Sequence, residues 1–194
     1  RYAIADNRRR MIPDVRDGLK PVQRRDLYAM GELNAVSEAT KKKSARIVGD
    51  VVGKYHPHSP ESIYGALRPM ANWWEAKIPL VRGWGNWGTF QGDSMAAMRY
   101  TEAYLSEFTV EFMQMLKKYN SIVDWSPNFD NSTQEPDYLP FLIPVLLING
   151  ATGVGVGVKM DIPPHNPREV INATRALLRD PNAEVVLIPD FCMP

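Results

Sequence analysis

Cysteine is almost absent from this sequence, since Cys192 is the only one among 194 residues. A single cysteine excludes an intramolecular disulfide framework and any zinc site built from several thiolates. Disulfide-dependent folds belong to oxidising compartments. The expected setting of this chain is therefore a reducing one, the cytoplasm.

Long hydrophobic runs are also missing. A membrane-spanning helix needs about 18 or more apolar residues in succession, and the longest apolar stretch, residues 139–148, is shorter and contains prolines. No signal peptide is visible, so we expect no membrane association. The chain opens on Arg1 rather than methionine and stops at Pro194, which leads us to expect a piece of a longer protein.

Net charge is small, at +1, but the charges are unevenly distributed. Residues 1–54 carry 13 Lys/Arg and 7 Asp/Glu, whereas residues 55–194 carry 10 and 15. A basic first part on a nearly neutral chain suits an anionic partner such as DNA. A solvated, charged surface explains the same composition, and charge alone does not decide between the two.

Apolar spacing predicts helices in the first half of the chain. Pro21 is suited to the first position of a helix that continues through Met30. Residues 41–54 and 61–74 are predicted as two further helices, the second with a buried stripe of Ile63, Leu67 and Trp74. Two helices joined by a short turn are the skeleton of a helix-turn-helix DNA reader.

The later segments predict a mixture of elements. Glycine alternates with aromatic residues over residues 79–90, which is typical of a loop and a short hairpin, the place for a wing. Residues 101–118 and 168–178 are predicted as helices, and residues 185–188 as a strand. The polar, turn-rich stretch that follows residue 120 places a domain boundary near Glu135 and Pro136.

Tyr100 is the candidate nucleophile of the chain because it directly follows Arg99 in a segment of glycine, small and polar residues. A phenol has a pKa near 10, so it needs help to act as a nucleophile at neutral pH. An arginine beside it can steady the charge that develops at a phosphorus under attack. Arg10 and His58 are further groups that the fold can supply. For an isolated Arg-Tyr pair, a buried structural tyrosine is the alternative.

Two other motifs are less specific. His56 and His58 suggest a metal pair, but no third ligand stands at a spacing that would complete a zinc site. Phosphate contact is the better interpretation, with helix capping as the alternative. The glycine-alternating run of residues 149–158 lacks the features of a P-loop or a dinucleotide fingerprint. It is interpreted as a strand bend, or else as a loop that presents Val154 as an apolar wedge between base pairs.

Taken together, these segments resemble the A subunit of the bacterial type IIA DNA topoisomerases, the DNA gyrase and topoisomerase IV family. The resemblance covers nearly the whole chain, through residues 13–25, 42–58, 85–88, 92–94, 96–102, 149–150, 162–166 and 189–191. It implies an α+β fold. Residues 1–135 would form a winged-helix (helix-turn-helix) DNA-breakage domain, and residues 136–194 the beginning of a tower domain.

The resemblance also implies roles for individual residues. Tyr100 matches the nucleophile that becomes linked to the 5′ phosphate of a cut strand, and Arg99 matches its catalytic neighbour. Arg10 and His58 match residues that assist it. Val154 stands where the family has an isoleucine that wedges into and bends DNA, so a weaker wedge is expected. The positions that would contact DNA are Lys20, Arg24, Arg25, Lys43, Arg46, Lys54 and His56.

Partners and cofactors follow from the same resemblance. The first partner is double-stranded DNA. The second is another copy of the full-length chain, so that each DNA strand meets one tyrosine. The third is a subunit of the B type, which carries the TOPRIM domain, Mg²⁺ and the ATPase. No Asp-x-Asp cluster is present here, so this chain alone is expected to bind neither metal nor ATP. The implied location is the cytoplasm, at the nucleoid.

Two other functional hypotheses remain. A winged-helix module of topoisomerase ancestry that binds DNA without cutting it is the main alternative. A tyrosine recombinase is a poorer one, because its scattered Arg-His-Arg pattern is not arranged here around a C-terminal tyrosine.

The sequence departs from the family after His58, where residues 59–62 read Ser-Pro-Glu-Ser instead of Gly-Asp-Ser-Ala. Glu61 and Gly65 replace the serine and the acid that anchor quinolone drugs. The resemblance therefore predicts poor quinolone sensitivity.

Overall fold

A computed structural model describes residues 10–191. Within them the chain forms two compact units. The Tyr100 unit comprises residues 22–72 and 79–140, and the hairpin unit comprises residues 10–21, 73–78 and 141–191. Helices and antiparallel strands occur together, so the fold class is α+β, as expected.

Four helices provide most of the core of the Tyr100 unit. They are α1 (Pro21–Glu32), α2 (Ser44–Lys54), α3 (Pro60–Ala71) and α4 (Glu107–Lys118). α4 begins after Ser106, whose side chain accepts a hydrogen bond from the Thr109 N–H and so caps the first turn. Their buried apolar side chains recur at helical spacing: Leu27, Met30, Ile47, Val48, Val51, Ile63, Leu67, Phe112 and Leu116.

A three-stranded antiparallel sheet lies in the same unit. Its strands are β1 (Lys42–Lys43), β2 (Val81–Trp84) and β3 (Glu102–Leu105), in the order β1-β3-β2. Ala103 and Leu105 are fully buried, whereas the alternate residues Glu102 and Tyr104 are half-buried. This alternation is that of a strand with one face on a core. A separate ribbon pairs β4 (Trp125–Pro127) with β5 (Gln134–Pro136).

From residue 141 on, the described part of the hairpin unit contains two helices and one β-hairpin. The short α5 (Val145–Asn149) precedes β6 (Ala151–Gly155) and β7 (Val158–Ile162), which pair antiparallel. Gly157 in the two-residue connection has φ +72°, a left-handed conformation that suits glycine. α6 (Pro167–Arg179) follows, and Asn166 caps it by accepting from the Arg168 N–H.

The structure corrects two of the predicted helices. The helix expected over residues 101–118 begins only at Glu107, because residues 102–105 form the central strand β3 and pair on both sides. The helix expected over residues 61–74 ends at Ala71, so Trp74 lies outside it and is not buried. Apolar spacing alone does not separate a short buried strand from a helical turn.

Three smaller predictions were also wrong. Residues 42–43 at the start of the expected helix over residues 41–54 form β1. The expected hairpin within residues 79–90 is not local, since β2 pairs with β3 instead. Residues 185–188 do not form a strand, and near them only an isolated bridge joins His165 to Pro189.

Other expectations agree with the structure. α1 begins at Pro21, and α6 contains residues 168–178. Pro69 has no N–H to donate to the Gly65 carbonyl one turn earlier. This is tolerated near the end of α3 because Gly65 is exposed, so its carbonyl remains open to solvent.

The domain assignment and the winged-helix label stay predictions. Glu135 and Pro136 both lie in strand β5, and the compact units change at Phe141. None of the helices in residues 10–191 has both the length and the apolar character required to cross a bilayer.

Candidate active site

Tyr100 lies just before strand β3, and its side chain is 64% exposed. The guanidinium carbon of Arg99 lies 4.7 Å from the centroid of the Tyr100 ring, within the range of a cation–π contact. An accessible phenol with an adjacent cation can meet a phosphodiester from solvent. The role of Arg99 in stabilising negative charge there stays a prediction.

A buried cluster of hydroxyl groups fixes the segment that carries Tyr100. The Oγ1 atom of Thr101 lies 2.7 Å from the Ser44 Oγ and 2.7 Å from the Tyr64 OH. The Tyr64 OH donates to the Ala96 carbonyl at 2.8 Å, so it must accept from Thr101, which in turn accepts from Ser44. Burial raises the pKa of Tyr64, which keeps this phenol protonated as a donor.

The N-terminus of α2 holds the same segment by its backbone. The Ser44 N–H donates to the Thr101 carbonyl at 3.0 Å, and the Ala45 N–H donates to the Met98 carbonyl at 3.1 Å. The first N–H groups of a helix have no hydrogen-bond acceptor within the helix, and here the two loop carbonyl groups accept from them. Tyr100 is therefore held between two anchored carbonyl groups while its side chain remains in solvent.

The loop segment around Gly85 lies close to the backbone of Tyr100 and Thr101. Gly85 has φ +98°, and a Cβ atom there would lie 3.6 Å from the Thr101 Cα and 3.8 Å from the Tyr100 carbonyl oxygen. A larger residue would be strained by its backbone conformation. The predicted loop of residues 79–90 thus contributes to the surroundings of Tyr100.

The two histidines lie together in the turn between α2 and α3. Their ring centroids are 4.4 Å apart. His58 is exposed, whereas His56 is only 8% exposed. The Arg25 Nη1 lies 2.7 Å from the His56 Nδ1, and Arg25 also pairs with Glu135. His58 is thus available to a ligand, and His56 lies behind it.

Three of the predicted DNA-contacting cations are exposed on α2 and β1. Arg46 and Lys54 both pair with Asp50, at 3.9 Å and 3.0 Å. Lys43 pairs with Glu102 at 3.5 Å. The three cations are at least half exposed, whereas the Asp50 and Glu102 side chains are only 8% and 28% exposed. A phosphate can reach the cations from solvent, but taking both cations from Asp50 would leave a largely buried carboxylate without an ion pair, which is costly.

Other predicted DNA contacts are less accessible. Arg24 and His56 are each 8% exposed, which leaves little of either side chain for a phosphate. Arg25 directs its Nε and Nη2 atoms to Glu135 and its Nη1 to His56. The sequence showed only that these residues are basic, whereas burial depends on how the turn packs against α1.

Three predicted residues belong to the hairpin unit. Arg10 is exposed there, and Val154 is 80% exposed on the β6–β7 hairpin. Lys20 is half-buried, and burial lowers its pKa. The assistance of Arg10 to Tyr100 stays a prediction.

Several residues of this site could not be singled out from the sequence. Thr101, Tyr64 and Ser44 carry no motif of their own, and Glu135 is 110 residues from Arg25. Lys41 was part of a basic run, but its position 4.8 Å above the Trp84 ring depends on the pairing of the strands. These contacts join residues that are far apart in the sequence, and local sequence patterns do not reveal which distant residues meet.

The two predicted drug-site positions, Glu61 and Gly65, lie one turn apart on α3 and are both exposed. The Glu61 carboxylate accepts a hydrogen bond from the Ser59 Oγ at 2.8 Å, and this bond lowers the pKa of Glu61. A Cβ atom at Gly65 would meet nothing within 4 Å. Among residues 10–191, no three His, Cys, Asp or Glu side chains form a group that could hold a metal ion.

Comparison with known proteins identifies the family. A family model that describes the A subunit of DNA gyrase and topoisomerase IV matches residues 10–193. The chain belongs to this family. The A subunit of DNA gyrase from Helicobacter pylori is 50% identical over 94% of this chain and 22% of that protein.

Two further A subunits of DNA gyrase show the same relation. That of Streptococcus pneumoniae is 48% identical over 98% of this chain and 24% of its own length. That of Streptococcus pyogenes is 47% identical over 98% of this chain and 23% of its own length. The chain therefore spans less than a quarter of these relatives.

Proposed function

We propose that this chain is the DNA-breakage part of a type II topoisomerase subunit, with Tyr100 as the nucleophile. The Tyr100 oxygen attacks a DNA phosphorus and forms a P–O bond, while the bond to the 3′ oxygen of the neighbouring sugar breaks. The phenol proton passes to a base, and the leaving 3′ oxygen takes up a proton. Reversal of these steps reseals the strand after a second duplex has passed.

The observation that carries this proposal is the combination of exposure and anchoring at Tyr100. The alternative was a buried structural tyrosine, whereas Tyr100 is 64% exposed on a backbone held by α2 and by a buried hydroxyl cluster. Rigid presentation of a reactive group reduces the entropy that must be lost at the transition state. Arg99, at 4.7 Å from the ring, supplies the adjacent positive charge.

The remaining site residues take supporting roles in the proposal. His58 and Arg10 assist at the phosphate, and His58 is exposed as this role requires. Arg46, Lys54 and Lys43 contact the DNA backbone, and the exposed Val154 enters the base stack as a wedge.

The full assembly extends beyond this chain. We propose a homodimer of the full-length protein, double-stranded DNA as substrate, and a partner of the B type that carries Mg²⁺ and ATP. Bound Mg²⁺ would polarise the phosphate and stabilise the leaving 3′ oxygen. The proposed setting is the cytoplasm, at the nucleoid.

A covalent-trapping assay tests the proposal. The full-length protein is mixed with a TOPRIM-bearing partner, Mg²⁺ and end-labelled DNA, and the reaction is stopped with detergent. Label retained on the protein under denaturing conditions supports DNA breakage. A characterised family member with the same partner serves as the positive control.

A non-cleaving DNA-binding module is the second candidate. The carboxylate of Glu61 on the exposed side of α3 favours it, because it adds negative charge where DNA would approach. In this case the assay would give no covalent label. DNA binding would persist and would weaken steeply with salt.

Quinolone trapping should be weak in the wild-type protein. Because Glu61 and Gly65 replace the serine and the acid that would anchor the drug, the variant Glu61→Ser/Gly65→Asp should restore trapping at drug concentrations at least about tenfold lower. Both positions are exposed, and position 65 has open space, so the new side chains fit. The measurement is the amount of cleaved DNA as a function of fluoroquinolone concentration.

The control for this test is Glu111→Ser, which removes an exposed carboxylate from α4 instead. It should leave the drug response unchanged. Strong trapping of the wild-type protein at low drug concentration would contradict the prediction.

A further inference from the structure

Glu135 is linked through Arg25 to the turn between α2 and α3 that carries His56 and His58. Its two carboxylate oxygens accept hydrogen bonds from the Nε and Nη2 atoms of Arg25, at 2.8 Å and 2.6 Å. The Glu135 and Arg25 side chains are 14% and 24% exposed, so this paired geometry is largely shielded from water. Two parallel bonds between a guanidinium and a carboxylate fix the plane of the guanidinium as well as its position.

The fixed guanidinium determines how His56 is protonated. The Arg25 Nη1 lies 2.7 Å from the His56 Nδ1. Arginine has only donors, so Nδ1 must accept this hydrogen bond and His56 must carry its proton on Nε2. The contact joins helix α1 to the turn before α3, and Glu135 on β5 holds it from the other side.

His56 in turn supports His58, the exposed member of the pair. The two rings pack with centroids 4.4 Å apart, and the His58 N–H donates to the His56 carbonyl at 2.7 Å. The contacts therefore run from Glu135 through Arg25 and His56 to His58. Arg25 directs three of its nitrogen atoms into this chain of contacts, which favours a role within the protein over a contact to DNA phosphate.

We propose that Glu135 is a positioning residue for DNA cleavage, which acts through Arg25 to hold His56 in one tautomer and His58 in place beside the substrate. The inference rests on the proposed function, since it concerns the efficiency of the step that Tyr100 performs. Groups that orient metal-binding histidines from behind commonly change affinity or activity by about 10- to 100-fold when they are removed, and we expect the lower end of this range for Glu135.

The test is the rate of covalent complex formation by the full-length protein with its TOPRIM partner, Mg²⁺ and end-labelled DNA. Glu135→Gln should lower this rate about tenfold and leave the DNA dissociation constant within about twofold, because the exposed cations that contact DNA are unchanged. Glu135→Asp keeps the charge on a shorter side chain, so its rate should lie between those of Glu135→Gln and the wild type. The matched control is Glu107→Gln, which removes a carboxylate 3.6 Å from Arg82 on an exposed surface; it should behave as the wild type.

A double-mutant comparison separates positioning from a general loss of structure. In the wild-type protein Arg25 donates to the His56 Nδ1, and Glu135 accepts the two hydrogen bonds that hold the guanidinium in that place. In an Arg25→Lys background Glu135→Gln should have no further effect, because a single ammonium group cannot bridge both partners.

Three results would overturn the inference. The first is Glu135→Gln and Glu135→Asp rates equal to the wild type. The second is a rate loss from Glu135→Gln that is as large in the Arg25→Lys background as in the wild-type protein. The third is a rate loss in Glu135→Gln that follows a lower melting temperature and is not reduced in Glu135→Asp. Failure of the proposed function is distinct, because then the wild-type protein itself would form no covalent complex.

Discussion

Tyr100→Phe should abolish the covalent attachment of DNA to the protein. The substitution removes only the phenol oxygen, and without it no P–O bond to the protein can form. The rate of covalent complex formation should fall at least about a thousandfold, to the background of the assay. Because the side chain is 64% exposed, the melting temperature should not change appreciably. DNA affinity should also be retained, since binding and cleavage use different side chains.

Tyr119→Phe is the matched control. Tyr119 is also exposed, at 45%, and also follows a basic residue, with the Lys118 Nζ 5.0 Å from its ring centroid. It lies at the end of α4 rather than on the anchored segment before β3. Its substitution should leave labelling unchanged. Label that persists on the Tyr100→Phe protein would contradict the assignment of the nucleophile.

Asp26→Leu should stabilise the protein. Asp26 is fully buried in α1, and neither carboxylate oxygen has a hydrogen-bond partner among the described residues. An unsatisfied buried polar group costs about 1–3 kcal/mol, and its replacement by an apolar side chain of similar size removes this cost. We expect the free energy of unfolding at neutral pH to rise by about 1–3 kcal/mol, measured by urea or thermal unfolding of the full-length protein.

The pH dependence of this gain follows from the pKa of Asp26. Burial raises the pKa of the folded carboxyl well above the ordinary value of 3.8. The folded state therefore holds the proton more tightly than the unfolded state, and the contribution of Asp26 to stability is most favourable below pH 3.8. That contribution is lost as the pH rises towards the folded pKa. The advantage of Asp26→Leu should thus be smallest near pH 4 and should widen as the pH rises.

Asp26→Asn is the control, because it keeps the shape and the polarity but does not ionise. Relative to the wild type it should gain stability over the same rising pH range, while keeping the cost of an unsatisfied polar group. A loss of stability in Asp26→Leu would show that the carboxyl has a stabilising partner.

Secondary structure could be predicted wherever a segment carried its own signals. Pro21 marks the start of α1, and the apolar positions Ile47 to Val51 of α2 follow helical spacing. Prediction failed at residues 101–105, where Leu105 fits the spacing of the following helix but belongs to a strand. The strand exists because its backbone pairs with residues 42–43 and 81–84, and a local pattern contains no information about those partners.

The sequence by itself determined the family, the α+β class and the candidate nucleophile, because these depend on residue types in a fixed order along the chain. Only the tertiary structure decided that Tyr100 is exposed on an anchored segment, that Arg24 and His56 are buried, and that Glu135 holds Arg25. Burial and hydrogen bonding are properties of pairs of residues brought together across long separations. Their energies depend on water excluded by packing, which no local segment of the chain specifies.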